Sequence, residues 1–281
     1  MMIVKGIVKK FVVWFIDGIN KTKIGGFAVN HVATSVMRLT SPVLHNGVKL
    51  VFATPNTQNR WRVSTFSDKE PETLQWIDSI PEESIVWDVG ANIGLYSCYA
   101  AKARRCRIIA FEPSVFNLEL LARNIFLNNL VEWVTIFPLP LFDRKAIETM
   151  RMTSVEWGGA LSTFGKDFGW DGLEIQKIFE FSTVGICMDD VVTDFQIPQP
   201  HFIKMDVDGL EHFILKGGMT VLKQVKGILI EVNDDFHEQS EQCQRLLEEA
   251  GLVIKDKRCS EMIANAAMGS AKAFNQIWER P

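Results

Sequence analysis

From Ser84 onward, apolar runs of strand length alternate with amphipathic stretches of helical spacing. This rhythm is typical of βαβ units that build a mostly parallel sheet. Five successive strands are predicted at Ile85–Val89, Arg107–Phe111, Val134–Leu139, His201–Asp206 and Gly227–Val232. Helices are predicted between them at about 94–103, 114–128 and 209–223, with another at 237–250. Two last strands, Leu252–Lys255 and Phe274–Trp278, would close one edge of the sheet, so we expect an α/β fold.

The first 49 residues have a different pattern. Residues 1 to about 40 repeat apolar positions at helical spacing, which predicts two helices broken near Gly25-Gly26. Asn46-Gly47 then separates two strand-like runs, a strong signal for a β-hairpin. We therefore predict a helical and hairpin extension over 1–49, followed by the main domain over 50–281.

An insertion is predicted in the main domain at about 143–200, because this interval is longer than a normal crossover. It contains Trp157-Gly158-Gly159 and a second cluster of tryptophan and glycine around Trp170. Long insertions often form lids or binding loops, so ligand contacts are expected here. A solvent-exposed hairpin that merely tolerates insertion is the alternative, although exposed tryptophans are costly without a partner surface.

The N-terminus carries an apolar run, Phe11 to Ile16, behind Lys5, Lys9 and Lys10. The run is too short to span a bilayer and lacks a small-residue cleavage pattern, so no signal peptide is predicted. Residues 1–16 have two interpretations. They form a basic amphipathic helix at the inner face of a membrane, or a helix docked on the main domain or on a second subunit of a homo-oligomer.

Composition narrows the class of protein further. The chain has 281 residues, 47% of them hydrophobic, which is enough for one large α/β domain with an extension. Its net charge of -4 leaves no excess of positive charge, so nucleic acid is not expected as a partner. No C-x-x-C spacing occurs among the cysteines, which predicts neither a disulfide framework nor a zinc site and indicates a reducing, cytoplasmic compartment. The five cysteines are Cys98, Cys106, Cys187, Cys243 and Cys259.

A glycine-containing turn, Asp88-Val89-Gly90-Ala91-Asn92-Ile93-Gly94, follows the first predicted strand of the main domain. Open α/β sheets bind ligands at such strand ends, where Gly90 allows close backbone approach and Gly94 lets the helix start pack closely. The spacing is G-x-x-x-G rather than the G-x-G-x-x-G of a dinucleotide site, and the Asp88 carboxylate disfavours a pyrophosphate. That carboxylate suits the ammonium group of S-adenosyl-L-methionine, held directly or through water.

The second predicted strand ends in Phe111-Glu112-Pro113. The Glu112 carboxylate can accept hydrogen bonds from both hydroxyls of a ribose, although the same acid also serves adenine dinucleotides. Phe111 is expected near the adenine, with a core aromatic as the alternative. Phe142 and Asp143, after the third strand, are expected to line the adenine pocket.

These motifs, in this order, resemble those of the FkbM-type S-adenosylmethionine-dependent methyltransferases over approximately residues 50–255. The matching segments are Trp87–Ser97, Phe111–Pro113, Met188–Asp190 and Phe202–Glu211. Asp208 and Met188 depart from the family pattern, which usually has Glu and Leu there. The resemblance implies the Rossmann-like, seven-stranded class I methyltransferase fold and O-methyl transfer, often to a sugar or polyketide hydroxyl. The residues expected to bind the cofactor are Asp88, Gly90, Asn92, Gly94, Tyr96, Phe111, Glu112, Phe142 and Asp143.

Acidic residues near the fourth and fifth strands are the candidates for catalysis. Asp206 ends the central strand beside the expected switch point of the sheet, so it is predicted to bind the acceptor or to remove its proton. Asp208, Glu211 and Glu231 are expected to help. For Asp208 and Glu211 the alternative is a structural role at the loop and helix start, where the helix dipole favours carboxylates. Lys204 is expected to neutralise the acidic cluster.

A metal site was considered at the same place. Asp206-Val207-Asp208 spells D-x-D, and with Asp189 or Glu231 such carboxylates could hold Mg²⁺. Proximity in sequence alone does not create a site, so a catalytic divalent metal is not favoured.

The sequence thus predicts an O-methyltransferase that acts on a small molecule or a glycan and releases S-adenosylhomocysteine. Two alternatives stay open. An NAD-dependent oxidoreductase would use Glu112 on the ribose but lacks the dinucleotide glycine pattern. A non-catalytic binding protein would retain the fold and engage a partner through 143–200 or the N-terminal helices. The acceptor is not predictable, because loops rather than the scaffold select it.

Overall fold

The structure, a computed structural model, describes residues 2–258 and 273–281. Cys259 and the side chains of Lys5 and Lys9, which the sequence analysis singled out, lie outside the described residues. The helices are α1 (Met2–Asn20), α2 (Lys23–Met37), α3 (Thr57–Ser64), α4 (Phe66–Lys69), α5 (Pro71–Ser79), α6 (Leu95–Arg104), α7 (Val115–Leu127), α8 (Met188–Phe195), α9 (Glu211–Lys216), α10 (Met219–Leu222) and α11 (His237–Glu249). The strands are β1 (Thr40–His45), β2 (Val48–Ala53), β3 (Ile85–Val89), β4 (Arg107–Phe111), β5 (Val134–Phe137), β6 (Ala146–Met152), β7 (Thr163–Phe164), β8 (Phe179–Gly185), β9 (Phe202–Met205), β10 (Gly227–Asn233), β11 (Val253–Arg258) and β12 (Ala273–Glu279).

A seven-stranded sheet forms the centre of the main domain, with the strand order β11-β12-β10-β9-β3-β4-β5. Neighbouring strands in the run β10-β9-β3-β4-β5 pair in parallel, whereas β12 pairs antiparallel with both β10 and β11. The predicted α/β, Rossmann-like fold is therefore confirmed, including the two closing strands. Chain order reverses between β3 and β9, and such a switch point is where ligands bind in open α/β sheets.

Both faces of the sheet are buried, which explains the nearly continuous apolar character of its strands. On β3, Val86 packs on one face with Ile108, while Trp87 and Val89 pack on the other with Met205. This alternation follows from the period of two along a strand. Because β3 runs parallel to both β4 and β9, the loops that follow these three strands lie together at one edge of the sheet.

The N-terminal extension consists of a helical hairpin and a β-hairpin. The helix break falls at Lys21 and Thr22 rather than near Gly25-Gly26, because the Thr22 side chain caps α2 by accepting a hydrogen bond from the Gly25 amide at 3.0 Å. A Cβ at Gly25 would lie 2.0 Å from the carbonyl oxygen of Ile19, so this glycine lets α2 start close against the end of α1.

The predicted β-hairpin is confirmed. Asn46 and Gly47 both have positive φ, 44° and 80°, and they join the antiparallel strands β1 and β2. The side-chain amides of Asn124, on α7, and Asn128, at its C-terminal cap, form hydrogen bonds with the backbone of β2 and hold the hairpin on the main domain. The predicted boundary at 49/50 falls inside β2 and stays a prediction.

Two other elements differ from their predicted form. The single helix predicted at 209–223 is broken at Gly217-Gly218, where a Cβ on Gly217 would lie 2.4 Å from the Phe142 carbonyl oxygen. The interval 143–200 is not a simple loop. It folds into a three-stranded antiparallel sheet of order β7-β6-β8, and α8 follows.

Candidate active site

Two cavities lie at the carboxyl edge of the sheet. The outer cavity has a volume of about 460 Å³, and the inner cavity about 90 Å³. Gly90, Asn92, Ala160, Asp206 and Asp208 line both of them. The outer cavity is also lined by Trp61, Arg62, Lys69, Glu70, Tyr96, Lys204 and Glu231. The inner cavity is also lined by Glu112, Ser114, Asn117, Leu141, Met150, Phe164 and Leu210.

The glycine turn after β3 lies in the wall of both cavities. Gly90 has φ +82°, and a Cβ there would lie 1.9 Å from the carbonyl oxygen of Asp206, so only glycine fits. The Gly90 amide donates to the Phe111 carbonyl, and the Asp206 amide donates to that of Val89, both at 3.0 Å. These bonds tie the ends of β3, β4 and β9 together at the site.

Glu112 is buried at the end of β4 and faces the inner cavity. Its carboxylate accepts hydrogen bonds from the amides of Asn92 at 2.7 Å and Ser114 at 2.8 Å. Burial raises the pKa of Glu112 to about 7, although these amide donors oppose the shift. The Asn117 side chain donates a third, longer bond at 3.4 Å. A carboxylate has about four acceptor positions, so Glu112 retains capacity for a ligand hydroxyl.

Asp206 lies at the junction of the cavities, with its side chain 30% exposed. Burial acts to raise its pKa, but the charges of Lys204, Lys69 and Arg62 outweigh this effect and hold the pKa of Asp206 below its usual value. Asp206 also bonds to Glu231, whose pKa is raised well above the usual value by burial and then by the charge of Asp206. These opposite shifts favour the ionised form of Asp206 and the protonated form of Glu231.

Lys204 and Asp208 complete the charge pattern around Asp206. The buried Nζ of Lys204 lies 3.6 Å from a carboxylate oxygen of Asp206 and 3.6 Å from one of Asp88. Burial disfavours its charge, but these two carboxylates raise the pKa of Lys204 above its usual value. Burial and the charge of Asp206 raise the pKa of Asp208 to about 6, and its carboxylate accepts from the Leu161 amide at 2.7 Å.

The structure does not bring Asp88 to either of the two cavities. Its carboxylate accepts a hydrogen bond from the Ser97 hydroxyl at 2.5 Å, and Lys204 lies between it and Asp206. The predicted contact of Asp88 with the cofactor stays a prediction, because the Asp88 carboxylate contacts Ser97 and Lys204 here. Asp88 holds Lys204, and Lys204 with Asp206 faces the outer cavity.

Four further residues that were predicted to bind the cofactor do not line either cavity. Phe111 lies in the core beside Trp87, because strand alternation turns it into the sheet interior. Phe142 is buried between Phe164 and Phe213, and Asp143 forms ion pairs with Arg144 and Lys216 outside the cavities. A Cβ on Gly94 would lie 2.4 Å from a methyl carbon of Leu121, so Gly94 allows α6 to pack against α7.

A segment of the insertion, residues 157–161, crosses the site, and we call it the strap. Its carbonyl oxygens accept hydrogen bonds from side chains of three separate elements. Asn56 and Asn59 donate to Trp157, Gln58 and Arg62 to Gly158, and Asn92 and Asn117 to Gly159. The prediction of ligand contacts in 143–200 stays open, but the structure places Ala160 of the strap in the wall of both cavities.

Sequence reasoning missed the residues that α3 and the segment after it bring to the outer cavity. Trp61, Arg62, Lys69 and Glu70 all line it, and the buried Glu70 accepts a hydrogen bond from the Tyr96 hydroxyl at 3.0 Å. No motif marks these positions. The available signal was the uncommon pairing of a tryptophan and an arginine on a short polar helix.

Among residues 2–258 and 273–281, no cluster of three or more His, Cys, Asp or Glu side chains could hold a metal ion. Asp189, considered as a partner of the D-x-D pair, instead accepts hydrogen bonds from the amides of Thr220 and Val221 at the start of α10.

The fold and the site together define a Rossmann-like enzyme with its ligand site at the switch point of a parallel sheet. The methyltransferase FkbM domain matches residues 88–254, which is more than half of the chain. This protein therefore belongs to the FkbM methyltransferase family. Membership decides for a methyltransferase and against the NAD-dependent oxidoreductase.

Similar proteins are known in sequence and in structure. The hexuronic acid methyltransferase AglP of Haloferax volcanii is 23% identical over 210 residues, which are 72% of this chain and 79% of AglP. Methyltransferase FkbM from Methylobacillus flagellatus superposes with a TM-score of 0.46 at 14% identity, over 71% of this chain and 44% of that one. Pyrococcus horikoshii TYW2 in complex with MeSAdo gives a TM-score of 0.47 at 12% identity, over 86% and 72%.

Proposed function

We propose that this protein transfers the methyl group of S-adenosylmethionine to a hydroxyl oxygen of a sugar or a related small molecule. The observation that carries the proposal is the ionised carboxylate of Asp206 at the junction of two cavities. Family membership supports methyl transfer. The relative AglP, a hexuronic acid methyltransferase, supports a sugar as the acceptor.

The chemistry of the inner cavity fits the adenosine part of the cofactor. Glu112, Ser114 and Asn117 supply polar groups at one side, while Met150 and Phe164 supply apolar surface at the other. At about 90 Å³ the cavity is smaller than the roughly 300 Å³ of a small ligand pocket. Binding of a nucleoside therefore requires the strap to shift.

Proton removal from the acceptor is the work of Asp206 in this proposal. When bound, S-adenosylmethionine supplies an electrophilic methyl group. Asp206 accepts the hydroxyl proton of the acceptor, Lys204 stabilises the carboxylate before that transfer, and neutral Glu231 donates a hydrogen bond to it. A positioned general base contributes typically about 10²–10⁴-fold to a rate.

Trp61 supports a sugar as the acceptor. Its side chain is 48% exposed at the mouth of the outer cavity, where the ring offers a flat apolar face with a polar N–H group. A sugar ring has a matching apolar face and polar edges. An exposed tryptophan at a cavity mouth is costly unless a ligand covers it.

Binding and turnover test the proposal together. Titration calorimetry is expected to show binding of S-adenosylhomocysteine, and labelled S-adenosylmethionine is expected to pass its methyl group to a uronic acid or neutral sugar fraction. Absence of binding at millimolar concentrations would exclude the methyltransferase mechanism. Binding without any methyl transfer to a broad glycan extract would support the non-catalytic alternative.

Peripheral contact with a membrane is the second part of the proposal, and the helical hairpin α1–α2 supports it. Phe11 and Trp14 are 60% and 69% exposed on α1. Residues 1–38 contain six basic side chains and a single acidic one, although the whole chain has a net charge of -4. Among the helices of the described residues, none is long and apolar enough to cross a membrane. A basic, apolar surface of this kind suits anionic lipid headgroups.

Flotation with vesicles that contain phosphatidylserine tests this contact. Phe11→Ser is expected to reduce vesicle binding several-fold, whereas Phe126→Ser, at a phenylalanine 76% exposed on α7, is expected to leave it unchanged. Equal loss in both variants, or no binding by the wild type, would contradict the contact. A dimer seen by light scattering and lost in the first variant would favour the subunit interpretation.

A further inference from the structure

The outer cavity contains three basic side chains, and two of them are neutralised by the protein itself. Lys69 forms an ion pair with Glu70, and Lys204 lies between Asp88 and Asp206. Arg62 differs from both. Within the described ranges, 2–258 and 273–281, its guanidinium forms no ion pair with a carboxylate, and its recorded hydrogen bond runs from Nε to the Gly158 carbonyl at 3.1 Å.

The position of Arg62 is fixed by the elements around it. Helix α3 is capped at Asn56, whose side chain accepts from the Asn59 amide at 2.8 Å. The bond from Nε to the strap directs the guanidinium toward the cavity that Arg62 lines. Its charge lowers the pKa of Asp206 and acts in the same direction on that of Asp208, so Arg62 lies close to the proposed reaction centre.

A guanidinium has five N–H donors, and the bond to Gly158 uses one of them. The remaining fork matches the geometry of a carboxylate, which it binds through two parallel hydrogen bonds. A partly buried cation without a protein counter-ion is best satisfied by an anionic ligand.

We infer that Arg62 binds a carboxylate group of a ligand in the outer cavity. The inference rests on the proposed function, because both proposed substrates can present that group: the methionine part of the cofactor or an acidic sugar as the acceptor. The shared chemistry is the carboxylate, and the two sources are separable by binding measurements.

The test compares Arg62→Gln with the matched control Arg60→Gln, which changes an exposed arginine on the same helix. Each variant is titrated with S-adenosylhomocysteine and with 5′-methylthioadenosine, which lacks the amino acid. If the cofactor supplies the carboxylate, Arg62→Gln is expected to weaken the binding of S-adenosylhomocysteine roughly 10- to 100-fold. The binding of 5′-methylthioadenosine is expected to change little. A displaced strap would weaken both ligands equally, so the difference isolates the carboxylate.

The second arm uses protein saturated with S-adenosylhomocysteine and compares glucuronate with glucose. Loss of a preference for glucuronate in Arg62→Gln, with cofactor affinity unchanged, would assign the carboxylate to the acceptor. Equal behaviour of Arg62→Gln and wild type in both arms, or equal weakening of both nucleosides, would overturn the inference. Failure of the wild type to bind either nucleoside would instead refute the proposed function.

Discussion

Asp206 depends on its neighbours for its charge. Lys204, Lys69 and Arg62 lower its pKa against the effect of burial, whereas burial and the charge of Asp206 raise the pKa of the neighbouring Glu231. Two carboxyl groups in contact do not both ionise easily, so the cations select Asp206 as the charged member.

This asymmetry predicts different effects for two conservative substitutions. Asp206→Asn removes the ionised group and is expected to lower kcat by roughly 10²–10⁴-fold. Glu231→Gln keeps a neutral hydrogen-bond donor and is expected to lower kcat by no more than about tenfold. Steady-state kinetics with both variants check this, and equal losses would show that the assigned protonation states are incorrect.

The ionisation of Asp208 is expected to determine how the reaction rate depends on pH. Its pKa is raised to about 6, and its ionised form accepts the Leu161 amide of the strap. With cofactor saturating, kcat/KM is therefore expected to fall as the pH drops through about 6, because protonation weakens this bond. The profile of Asp208→Asn should lack that limb. A limb retained in the variant would assign the titration to another group.

For individual residues, the sequence indicated which of them surround the strand ends, but not the direction in which each side chain points. Gly90, Glu112 and Asp206 all line a cavity as expected. Asp88 was expected beside them, but alternation along β3 and the nearby Lys204 turn its carboxylate to the interior. A motif fixes the position of a residue along a strand, whereas its direction depends on packing with other strands.

Among the elements, the strap connects the largest number of the segments that line the two cavities through its hydrogen bonds to α3, the glycine turn and α7. Six side chains from α3, the glycine turn and α7 bond its carbonyl groups. The inner cavity lies beneath it and is small. Because Ala160 of the strap lines both cavities, we expect a change in the geometry of the strap to affect both of them.

Gly158 makes the strap testable. It has φ +81°, and a Cβ would lie 2.2 Å from the Oδ1 atom of Asn59. Gly158→Ala is expected to weaken S-adenosylhomocysteine by roughly tenfold, because left-handed strain of about 1–2 kcal/mol displaces the strap. Calorimetry on this variant is the measurement. Gly169→Ala, in the same insertion but with its nearest neighbour at 3.9 Å, is the control and should bind normally.

The elements that hold the strap were not predictable from local pattern. Residues of α3 and the strap are about 100 positions apart in the chain, as for Gln58 and Gly158. Such a contact leaves no periodicity in either segment, because each hydrogen bond joins one polar side chain to one backbone carbonyl group. By contrast, the hairpin at Asn46-Gly47 was predictable, since its turn chemistry is local.

For the molecule as a whole, the five parallel strands were predictable from the sequence because apolar runs alternate with helices after Ser84 outside the insertion. These strands and the two closing strands lie close to their predicted positions along the chain, whereas their order in the sheet is a finding of the structure. The insertion sheet β7-β6-β8 did not follow, because its strands are antiparallel and β7 has only two residues.

Cofactor binding should stabilise the whole fold. A ligand that binds only the native state adds about 2.7 kcal/mol at 100 times its Kd. S-adenosylhomocysteine at that concentration is therefore expected to raise Tm by roughly 5 °C, whereas NADH at the same concentration should not. A thermal-shift assay measures both, and a larger shift with NADH would contradict the methyltransferase assignment at the level of the cofactor.

We propose that one cofactor spans both cavities, with its adenosine at Glu112 in the inner cavity and its sulfur beside Gly90 and Asp206, which line both cavities. A crystal structure of the complex with S-adenosylhomocysteine tests it most directly. We expect ribose hydroxyls within hydrogen-bond distance of the Glu112 carboxylate and the sulfur facing the outer cavity near Asp206. Electron density for the ligand outside these cavities, or an adenosine that does not contact Glu112, would contradict the account.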